Sequence, residues 1–373
     1  MNDKNLYERY ERQVILPEFG EEGQRKLLNA KILVIGAGGL GCPALQYLVA
    51  AGIGTIGIVD HDTVSLNNLH RQVIYSVSDI GFSKAKRASV ILNGLNPDIK
   101  IVPYDEQLTV ENALSIIERF DIIIDGTDNF ATRYMINDAC VLLDKPLIYG
   151  AVSQFDGQVA IFNYEDGDEK PVNYRDLFPE PPKDDEVLNC AEAGVLGVLP
   201  GIIGTMQANE AIKLITGLGE PLINRLWTFN ALNNQVYELK LTAKPETQSL
   251  IPDSEAAFEQ MNYEWLCSSV TEPFEIDAEQ FDELLENKNI EIIDVREFHE
   301  TPGVSEFEHR RIPMQQVEAS AETIKPDTVV LFCQTGKRSK QAVKLLSGIF
   351  GTNKKLYSLK DGIVNWKNLH QLS

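Results

Sequence analysis

Short apolar runs alternate with helix-like stretches over the first part of the chain. The runs are typical of buried strands, and Pro43 and Gly52 mark the two ends of the first helix between them. We expect strands over 31–35, 55–59, 99–103, 121–125 and 147–151, and helices over 42–51, 83–95 and 110–119. This βαβ order predicts an α/β fold with a doubly wound, Rossmann-like sheet.

The rhythm changes after Ala151. Asp156-Gly157 predicts a hairpin turn that leads into a strand over 158–163. A helix is expected over 201–217, and two strands are expected over 226–230 and 235–241. The segment 164–189 is rich in Pro, Asp and Glu, which indicates either disorder or a functional lid.

A second, smaller α/β module is predicted after a polar and weakly patterned stretch. Its helices are expected over 277–286 and 338–347, and its strands over 290–293, 328–332 and 356–359. The chain is therefore expected to have a first domain over 1–242, a linker over 243–274 and a second domain over 275–373.

Charge and composition disfavour several classes of protein. The net charge of −21 opposes binding to nucleic acid or to an anionic membrane. The longest apolar run, residues 193–206, is interrupted by Pro200 and is too short to span a bilayer, and the first residues have no apolar signal core. We expect a cytoplasmic protein with no nucleic-acid and no membrane partner.

The five cysteines are scattered, and no Cys-x-x-Cys pair occurs. A disulfide framework or a four-cysteine zinc site is therefore disfavoured. Cys42 and Cys140 lie on periodic helix faces and are expected in the core, while Cys267 has no cationic neighbours and receives no role.

A glycine-rich turn follows the first strand and opens the first helix of the sheet. Gly36, Gly38, Gly39 and Gly41 permit close approach of the backbone to phosphate, and a helix N-terminus favours an anion. Asp60, at the end of the second strand, stands where a ribose-binding acid belongs. Taken alone, these features also fit a nicotinamide-dependent oxidoreductase.

Further polar residues favour a nucleotide that is attacked at phosphorus. Asn68, Arg71 and Lys84 follow Asp60 and suit a triphosphate and its leaving pyrophosphate, although a single Lys is most often a solvated surface residue. Gly126-Thr-Asp128-Asn129 ends another strand. There Asp128 is a natural Mg²⁺ ligand, a helix N-cap, or both.

Residues 5–241 resemble the ubiquitin-activating-like adenylyltransferases represented by MoeB and ThiF. The motifs that carry this resemblance stand in the family's order and are Arg9-Tyr-Glu-Arg12-Gln, the glycine turn, Asp60-His-Asp-Thr-Val-Ser-Leu-Asn-Asn-Leu-His-Arg71-Gln, Lys84, Gly126-Thr-Asp128-Asn and Cys190-Ala-Glu-Ala-Gly-Val. The resemblance implies ATP-dependent adenylation of the C-terminal Gly-Gly carboxylate of a ubiquitin-like sulfur carrier.

The same resemblance assigns roles to individual residues. It implies a homodimer in which Arg12 reaches the neighbour's nucleotide, Arg71 and Lys84 hold phosphates, and Asp128 holds Mg²⁺. Asp60, Asn68, Asn129 and the glycines would complete the ATP site. Arg133 matches a family position near the nucleotide.

One departure from the family concerns zinc. Many members carry two Cys-x-x-Cys pairs that bind structural zinc. The place of the first pair reads Asn173-Tyr-Arg-Asp176, and the place of the second, after Leu241, holds no cysteine. We therefore expect no zinc at that site, and we expect packing alone to hold this part of the fold.

Cys333 begins a loop between a strand and a helix in the second module. Such a loop aims backbone N–H groups at one point, and the helix dipole with Lys337 and Arg338 would favour a thiolate. An accessible cysteine of low pKa is a nucleophile, whereas a buried one is inert. Cys333 is interpreted as reactive.

The second module resembles a rhodanese domain. Asp294-Val-Arg-Glu297, Cys333-Gln-Thr-Gly-Lys-Arg-Ser339 and Leu359-Lys-Asp-Gly-Ile-Val-Asn-Trp366 match its landmarks over about 275–373, whereas His309-Arg-Arg-Ile-Pro-Met departs from the usual pattern. The resemblance implies a persulfide on Cys333. Its sulfur, supplied by a cysteine desulfurase or by thiosulfate, would convert the adenylate to a thiocarboxylate for molybdopterin or thiamine biosynthesis.

Two questions stay open at the level of sequence. Cys190 either forms a transient covalent link to the carrier or has a structural role. Besides the adenylyltransferase hypothesis and the oxidoreductase, the chain could be a non-catalytic scaffold that binds a ubiquitin-like tail.

Overall fold

The computed structural model describes residues 3–165, 167, 170–181, 194–263, 274–285, 289–350 and 354–370. Described residues up to Tyr263 form one compact unit, and those from Phe274 onward form a second. Residues 243–263, which the sequence placed in a linker, thus belong to the first unit. None of the described helices is both long and apolar enough to cross a membrane.

A single sheet forms the centre of the first unit. Its strands are β1 (Lys31–Ile35), β2 (Thr55–Val59), β3 (Lys100–Tyr104), β4 (Ile122–Asp125), β5 (Leu147–Ser153), β6 (Asp156–Phe162), β7 (Arg225–Asn230) and β8 (Gln235–Lys240). They lie in the order β3-β2-β1-β4-β5-β6-β7-β8. The first five are parallel and the last three are added antiparallel. The order 3-2-1-4-5 confirms the predicted doubly wound fold.

Helices accompany this sheet along the chain. They are α1 (Asp3–Val14), α2 (Gly20–Asn29), α3 (Gly41–Ala51), α4 (Lys84–Leu95), α5 (Ala113–Ile117), α6 (Phe130–Leu142), α7 (Tyr174–Leu177), α8 (Val198–Thr216) and α9 (Glu255–Glu259), with 3-10 turns at Leu66–Asn68, Val77–Asp79 and Pro245–Leu250. Ile32 and Val34 of β1 share an apolar core with Leu45 and Leu48 of α3. This packing fixes the N-terminus of α3 at the carboxyl end of β1.

The hairpin between β5 and β6 turns earlier than predicted. Ser153 pairs with Asp156, so Gln154 and Phe155 form the turn. Gly157 lies inside β6, where an added Cβ would stand 2.3 Å from Cδ1 of Ile203. The prediction of a turn at Asp156-Gly157 was wrong because this glycine is required by packing against α8.

The second unit is a smaller parallel sheet between helices. Its elements are β9 (Phe274–Ile276), α10 (Ala278–Leu285), β10 (Ile290–Asp294), β11 (Arg310–Arg311), β12 (Thr328–Phe332), α11 (Lys337–Phe350), β13 (Lys355–Leu359) and α12 (Gly362–Leu369), with 3-10 turns at Met314–Gln316 and Ala321–Thr323. The strand order is β11-β10-β12-β13-β9. This confirms the predicted α/β character.

Strand β12 is buried on both faces. Val329 and Leu331 lie in one apolar cluster with residues of α11, and Val330 and Phe332 lie in another with residues of α10 and α12. Alternate side chains of a strand point to opposite faces, so helices must cover both sides. Cys333 follows this strand directly and is thereby held at the carboxyl edge of the sheet.

Candidate nucleotide and sulfur sites

The glycine turn after β1 leaves no room for a side chain at two of its positions. Gly36 has φ of 94°, and a Cβ there would lie 2.7 Å from the carbonyl oxygen of Gly126. A Cβ on Gly41 would lie 1.8 Å from the carbonyl oxygen of Gly36. The turns after β1 and β4 are therefore in direct contact, and the N-terminus of α3 opens beside them, as an anion site requires.

Asp60 ties the end of β2 to the glycine turn. Its Oδ2 accepts a hydrogen bond of 2.7 Å from the N–H of Ala37, and its Oδ1 accepts one of 2.9 Å from the N–H of Asp62. Burial raises the pKa of the Asp60 carboxyl above its ordinary value, although the nearby charge of Lys84 acts to lower it. The carboxylate therefore braces the turn against the strand, in the position expected for a group that accepts a ribose hydroxyl.

Lys84, at the start of α4, is buried and already has a partner. Its Nζ donates to Oδ2 of Asp62 at 2.8 Å. Burial acts to raise the pKa of Asp62, but the hydrogen bond and the charge of Lys84 outweigh it and hold that pKa below its ordinary value. No role for Asp62 is predicted from the sequence. Its position two residues after Asp60 was the available signal.

Arg71 and Gly38 shape the open side of the glycine turn. The Cδ of Arg71 would lie 3.5 Å from a Cβ on Gly39, so this side chain runs beside the turn. Its Nη1 donates to the carbonyl oxygen of Asn67 at 3.1 Å. Within the part of the chain that the structure describes, a Cβ on Gly38 would meet only the side chain of Gln72, whose Oε1 is buried and has no hydrogen-bond partner there.

Asn68 has a local structural task. Its Oδ1 accepts a hydrogen bond of 2.8 Å from the hydroxyl of Ser65 and caps the 3-10 turn that starts at Leu66. Asn68 therefore shapes the segment that carries Arg71.

A buried ion pair supports the turn after β4. Oδ2 of Asp125 accepts a hydrogen bond of 3.0 Å from Nε of Arg133, and its Oδ1 accepts one of 2.9 Å from the N–H of Thr127. Burial disfavours the charge of Arg133, but Asp125 outweighs this effect and raises the pKa of the guanidinium. The guanidinium of Arg133 is thus already engaged in an ion pair inside the fold. It positions the turn that carries Asp128.

Asp128 itself is exposed at the tip of this turn. The N-cap of α6 is Asn129, whose Oδ1 accepts a hydrogen bond of 2.8 Å from the N–H of Thr132. The alternative interpretation of Asp128 as the cap was therefore wrong. Within the described residues no group of three or more His, Cys, Asp or Glu could hold a metal by itself. A single carboxylate fits Mg²⁺, which takes its other ligands from phosphate and water.

Cys333 is buried in the second unit, with 1% of its surface exposed. The hydroxyl of Ser339 points to its Sγ at 3.6 Å and to the carbonyl oxygen of Gly336 at 3.0 Å. The hydroxyl of Ser358 donates to Ser339 at 2.8 Å. The expectation of an accessible thiol was thus wrong for this conformation, because the strand, the turn at Gly336 and α11 enclose the sulfur.

Two carboxylates hold the cations around the Cys333 loop. Oε1 and Oε2 of Glu300 accept hydrogen bonds of 2.5 and 2.6 Å from the guanidinium of Arg338. Asp294 is fully buried and accepts hydrogen bonds from Arg296 at 2.8 Å and from Arg311 at 2.7 Å. The segment from β10 to β11 is therefore fixed by charge-assisted hydrogen bonds.

Comparisons with known proteins agree with this geometry. Residues 10–250 match the ThiF family, and residues 277–369 match the rhodanese-like domain.

The chain belongs to the ThiF family.

Several relatives of this ThiF-family chain combine the same two domains' activities in their names. The probable adenylyltransferase/sulfurtransferase MoeZ of Mycobacterium tuberculosis is 40% identical over 369 residues, which cover 96% of this chain and 92% of MoeZ. The sulfur carrier protein adenylyltransferase of Thermus thermophilus is 47% identical over 266 residues, or 71% of this chain and 97% of the relative. The adenylyltransferase and sulfurtransferase MOCS3 of Culex quinquefasciatus is 38% identical over 93% of this chain and 84% of its own.

These matches confirm the resemblance seen in the sequence. The chain is an adenylyltransferase with a sulfurtransferase domain, and as such it uses ATP. Among solved structures, E. coli MccB with MccA-N7isoASN has a TM-score of 0.56 at 23% identity over 64% of this chain and 73% of MccB, which shows the fold alone.

In the ThiF domain a buried carboxylate joins the two segments where many family members carry cysteine pairs. Oδ1 of Asp176 accepts hydrogen bonds from the N–H of Lys244, at 2.9 Å, and from the hydroxyl of Thr247. Its Oδ2 accepts two of 2.9 Å from the N–H and the Nδ2 of Asn173. We call these four residues the Asp176 clasp. The expectation that packing alone holds this region was wrong.

The remaining predicted residues of the ThiF domain fall into two groups. Arg12 is exposed on α1, and its side chain has no hydrogen-bond or ion-pair partner in the described part of the chain. Cys190, like Cys267, lies outside the described residues. Cys42 and Cys140 are fully buried, as predicted, and burial raises the pKa of both thiols, that of Cys42 to about 12.

Proposed function

We propose that this chain adenylates the C-terminal carboxylate of a ubiquitin-like sulfur carrier and then replaces AMP with sulfur held on Cys333. The observation that carries the proposal is the presence, in one chain, of a ThiF domain and a rhodanese-like domain that match relatives over almost their whole length. The names of those relatives include a sulfur carrier protein adenylyltransferase.

The glycine turn and its cations suit the first half-reaction. The carrier's carboxylate attacks the α-phosphorus of ATP, and pyrophosphate leaves. Lys84 and Arg71 would neutralise charge on the phosphates, and the N-terminus of α3 would face the same anion. Lys84 would do so while it stays paired with Asp62 at 2.8 Å. Positioning and charge neutralisation are the main catalytic contributions that phosphoryl chemistry needs.

Asp128 would hold Mg²⁺ beside these phosphates. It is exposed at the turn after β4, next to the glycine turn, and it is not used as a helix cap. The bound ion would supply further neutralisation of phosphate charge. We also propose the homodimer, in which Arg12 completes the nucleotide site of the partner.

The second half-reaction forms the carbon–sulfur bond. The terminal sulfur of a Cys333 persulfide attacks the acyl carbon of the adenylate, AMP leaves, and an acyl disulfide results. The thiolate of an external thiol then attacks Sγ of Cys333, the S–S bond to the acyl group breaks, and the thiocarboxylate leaves. Cys333 remains in a disulfide with that thiol, and a second equivalent of the thiol reduces it. Cys190 keeps the role that the sequence leaves open for it, a transient covalent link to the carrier. The product would feed molybdopterin or thiamine biosynthesis in the cytoplasm.

Two substitutions test the proposal together. Asp128→Asn should abolish the carrier-AMP adduct and all later products, because one of the charges that hold Mg²⁺ is lost. Cys333→Ala should leave adenylation intact and stop thiocarboxylate formation. Intact mass spectrometry of a carrier ending in Gly-Gly, incubated with ATP and a sulfur donor, measures both.

The opposite pattern would contradict the proposal. A carrier that binds tightly while ATP is never consumed would indicate a scaffold. Full adenylation by the Asp128→Asn variant would remove Asp128 from the magnesium site. Unchanged midpoints of urea unfolding in both variants provide the control for folding.

A further inference from the structure

Glu300 is placed to cancel the charge of the cation nearest the sulfur site. Arg338 lies in the first turn of α11, close enough to Cys333 for the charges of the two groups to interact. Both of its terminal nitrogens donate to Glu300, at 2.5 and 2.6 Å. These hydrogen bonds lower the pKa of Glu300 to about 2, so its carboxylate is charged at neutral pH.

Most of the other cations around this loop also pair with carboxylates. Arg296 and Arg311 both pair with Asp294, and Lys340 pairs with Glu275 at 2.7 Å. Within the described residues of the loop, Lys337 is exposed and has no carboxylate partner. These groups together therefore carry about two net positive charges, from Lys337 and from the second arginine on Asp294, and Glu300 removes a third.

We propose that Glu300 is a specificity-determining residue that withdraws Arg338 from binding an anionic sulfur donor and so selects a thiol persulfide over thiosulfate. The inference rests on the proposed function, since it names the donor class of the same site. A guanidinium binds sulfonate-like oxygens through its paired N–H groups, and here the Glu300 carboxylate occupies that face.

The two donors place different charge demands on the loop. With a thiol persulfide, the Cys333 thiolate attacks the outer sulfur of R–S–SH, the donor's S–S bond breaks, and R–S⁻ leaves, giving Cys333–S–SH. With thiosulfate, the thiolate attacks the sulfane sulfur and sulfite leaves as a dianion. Only the second reaction brings a dianion to the loop and releases another, so only it requires an uncompensated Arg338.

The test uses the full chain and two donors of defined composition, thiosulfate and cysteine persulfide. Sulfur uptake on Cys333 is followed by intact mass spectrometry, and kcat/KM is obtained for each donor. Glu300→Gln should raise the ratio of kcat/KM for thiosulfate to kcat/KM for cysteine persulfide by about tenfold. Most of this gain should come from a lower KM for thiosulfate, because the substitution removes a negative charge close to the bound anion. The gain should shrink at high salt.

A matched control separates this local effect from net charge. Glu291→Gln removes the same charge from β10 and the 3.1 Å pair with Arg310, at the opposite end of the strands from Cys333. It should leave the donor ratio unchanged. In the double variant Glu300→Gln with Arg338→Gln the gain for thiosulfate should disappear, because the released guanidinium is no longer present.

Two results would overturn the inference. One is a donor ratio in Glu300→Gln equal to that in Glu291→Gln. The other is an equal loss with both donors, which would reduce Glu300 to a structural role. Failure of the proposed function would be distinct, since the unsubstituted chain would then take up no sulfur on Cys333 from either donor, and the inference would fall with it.

Discussion

Ser339 shows how a single buried hydroxyl bears on the reactivity of Cys333. Its Oγ lies 3.6 Å from the sulfur and 3.0 Å from the carbonyl oxygen of Gly336, and it accepts a hydrogen bond of 2.8 Å from the hydroxyl of Ser358. When the sulfur carries negative charge, the Ser339 hydrogen turns toward it, and the bond from Ser358 increases its polarity. Cys333 is thus stabilised by a chain of two hydroxyls that both lie in the interior.

Ser339→Ala should slow sulfur uptake by Cys333 about fivefold, because a hydrogen bond to the charged sulfur is worth about 1 kcal/mol. Ser339→Thr keeps the hydroxyl and should restore most of the rate. Stopped-flow uptake from cysteine persulfide measures both variants across a pH series. Equal rates and pH profiles in the alanine and threonine variants would show that the hydroxyl does not act on the reacting sulfur.

At the scale of elements, the Asp176 clasp fixes α7 to the 3-10 turn that begins at Pro245. Asp176→Ala would leave the buried N–H and Nδ2 of Asn173 without their acceptor, and would remove the acceptor of the Lys244 N–H, while the hydroxyl of Thr247 could still donate to the carbonyl oxygen of Lys244. The free energy of unfolding should fall by about 3 kcal/mol, since each buried polar group without a hydrogen-bond partner costs about 1–3 kcal/mol. Urea unfolding of the first unit measures it.

The control for the clasp is an exposed aspartate with one hydrogen-bond partner. Asp156→Ala removes the 2.7 Å bond to Asn230 at the start of β6. It should shift the unfolding midpoint far less. A loss in Asp176→Ala no larger than that in Asp156→Ala would mean that packing carries the region after all.

The sequence predicts the strands of the sheet well, but it does not predict which side chains form hydrogen bonds across the fold. The limits of β1, β2 and β12 follow directly from apolar runs, because a buried strand needs such a run on both faces. The pairing of Asp176 with Thr247 joins residues 71 apart, and no local pattern reports that distance.

The same limit applies to the candidate site. Motif spacing locates Lys84 and Cys333, but their burial and their partners Asp62 and Ser339 depend on how separate elements pack. Gly157 gave a wrong local prediction. A glycine in this position is typical of a turn, but here it lies within a strand because the side chain of Ile203 leaves no space for a Cβ. Chemistry carried by adjacent residues is therefore predictable from sequence, and chemistry that depends on tertiary contacts is not.

For the whole molecule, acid should weaken the second unit through Glu300. Its pKa is about 2 in the folded chain, below the ordinary value of about 4.3 expected when unfolded. The stabilisation is thus present above pH ~4.3 and is lost as pH falls toward the folded value. Pulse proteolysis with pepsin at increasing urea, between pH 4.5 and 2, should show a falling midpoint for fragments of this unit.

Glu300→Gln should flatten that decline, because the glutamine takes up no proton in this range. Glu291→Gln serves again as the matched variant. Identical slopes in the unsubstituted chain and the Glu300→Gln variant would show that other carboxylates govern the acid response.

The Asp176 clasp also affects the solution conditions under which the first unit stays folded. Paired cysteines at these two segments would lose their ion to strong chelators and would be open to attack by peroxide. A carboxylate that accepts hydrogen bonds from amides and a hydroxyl has neither weakness. The stability of this joint therefore depends on one carboxylate and its hydrogen bonds, and not on metal supply or on the oxidation state of thiols.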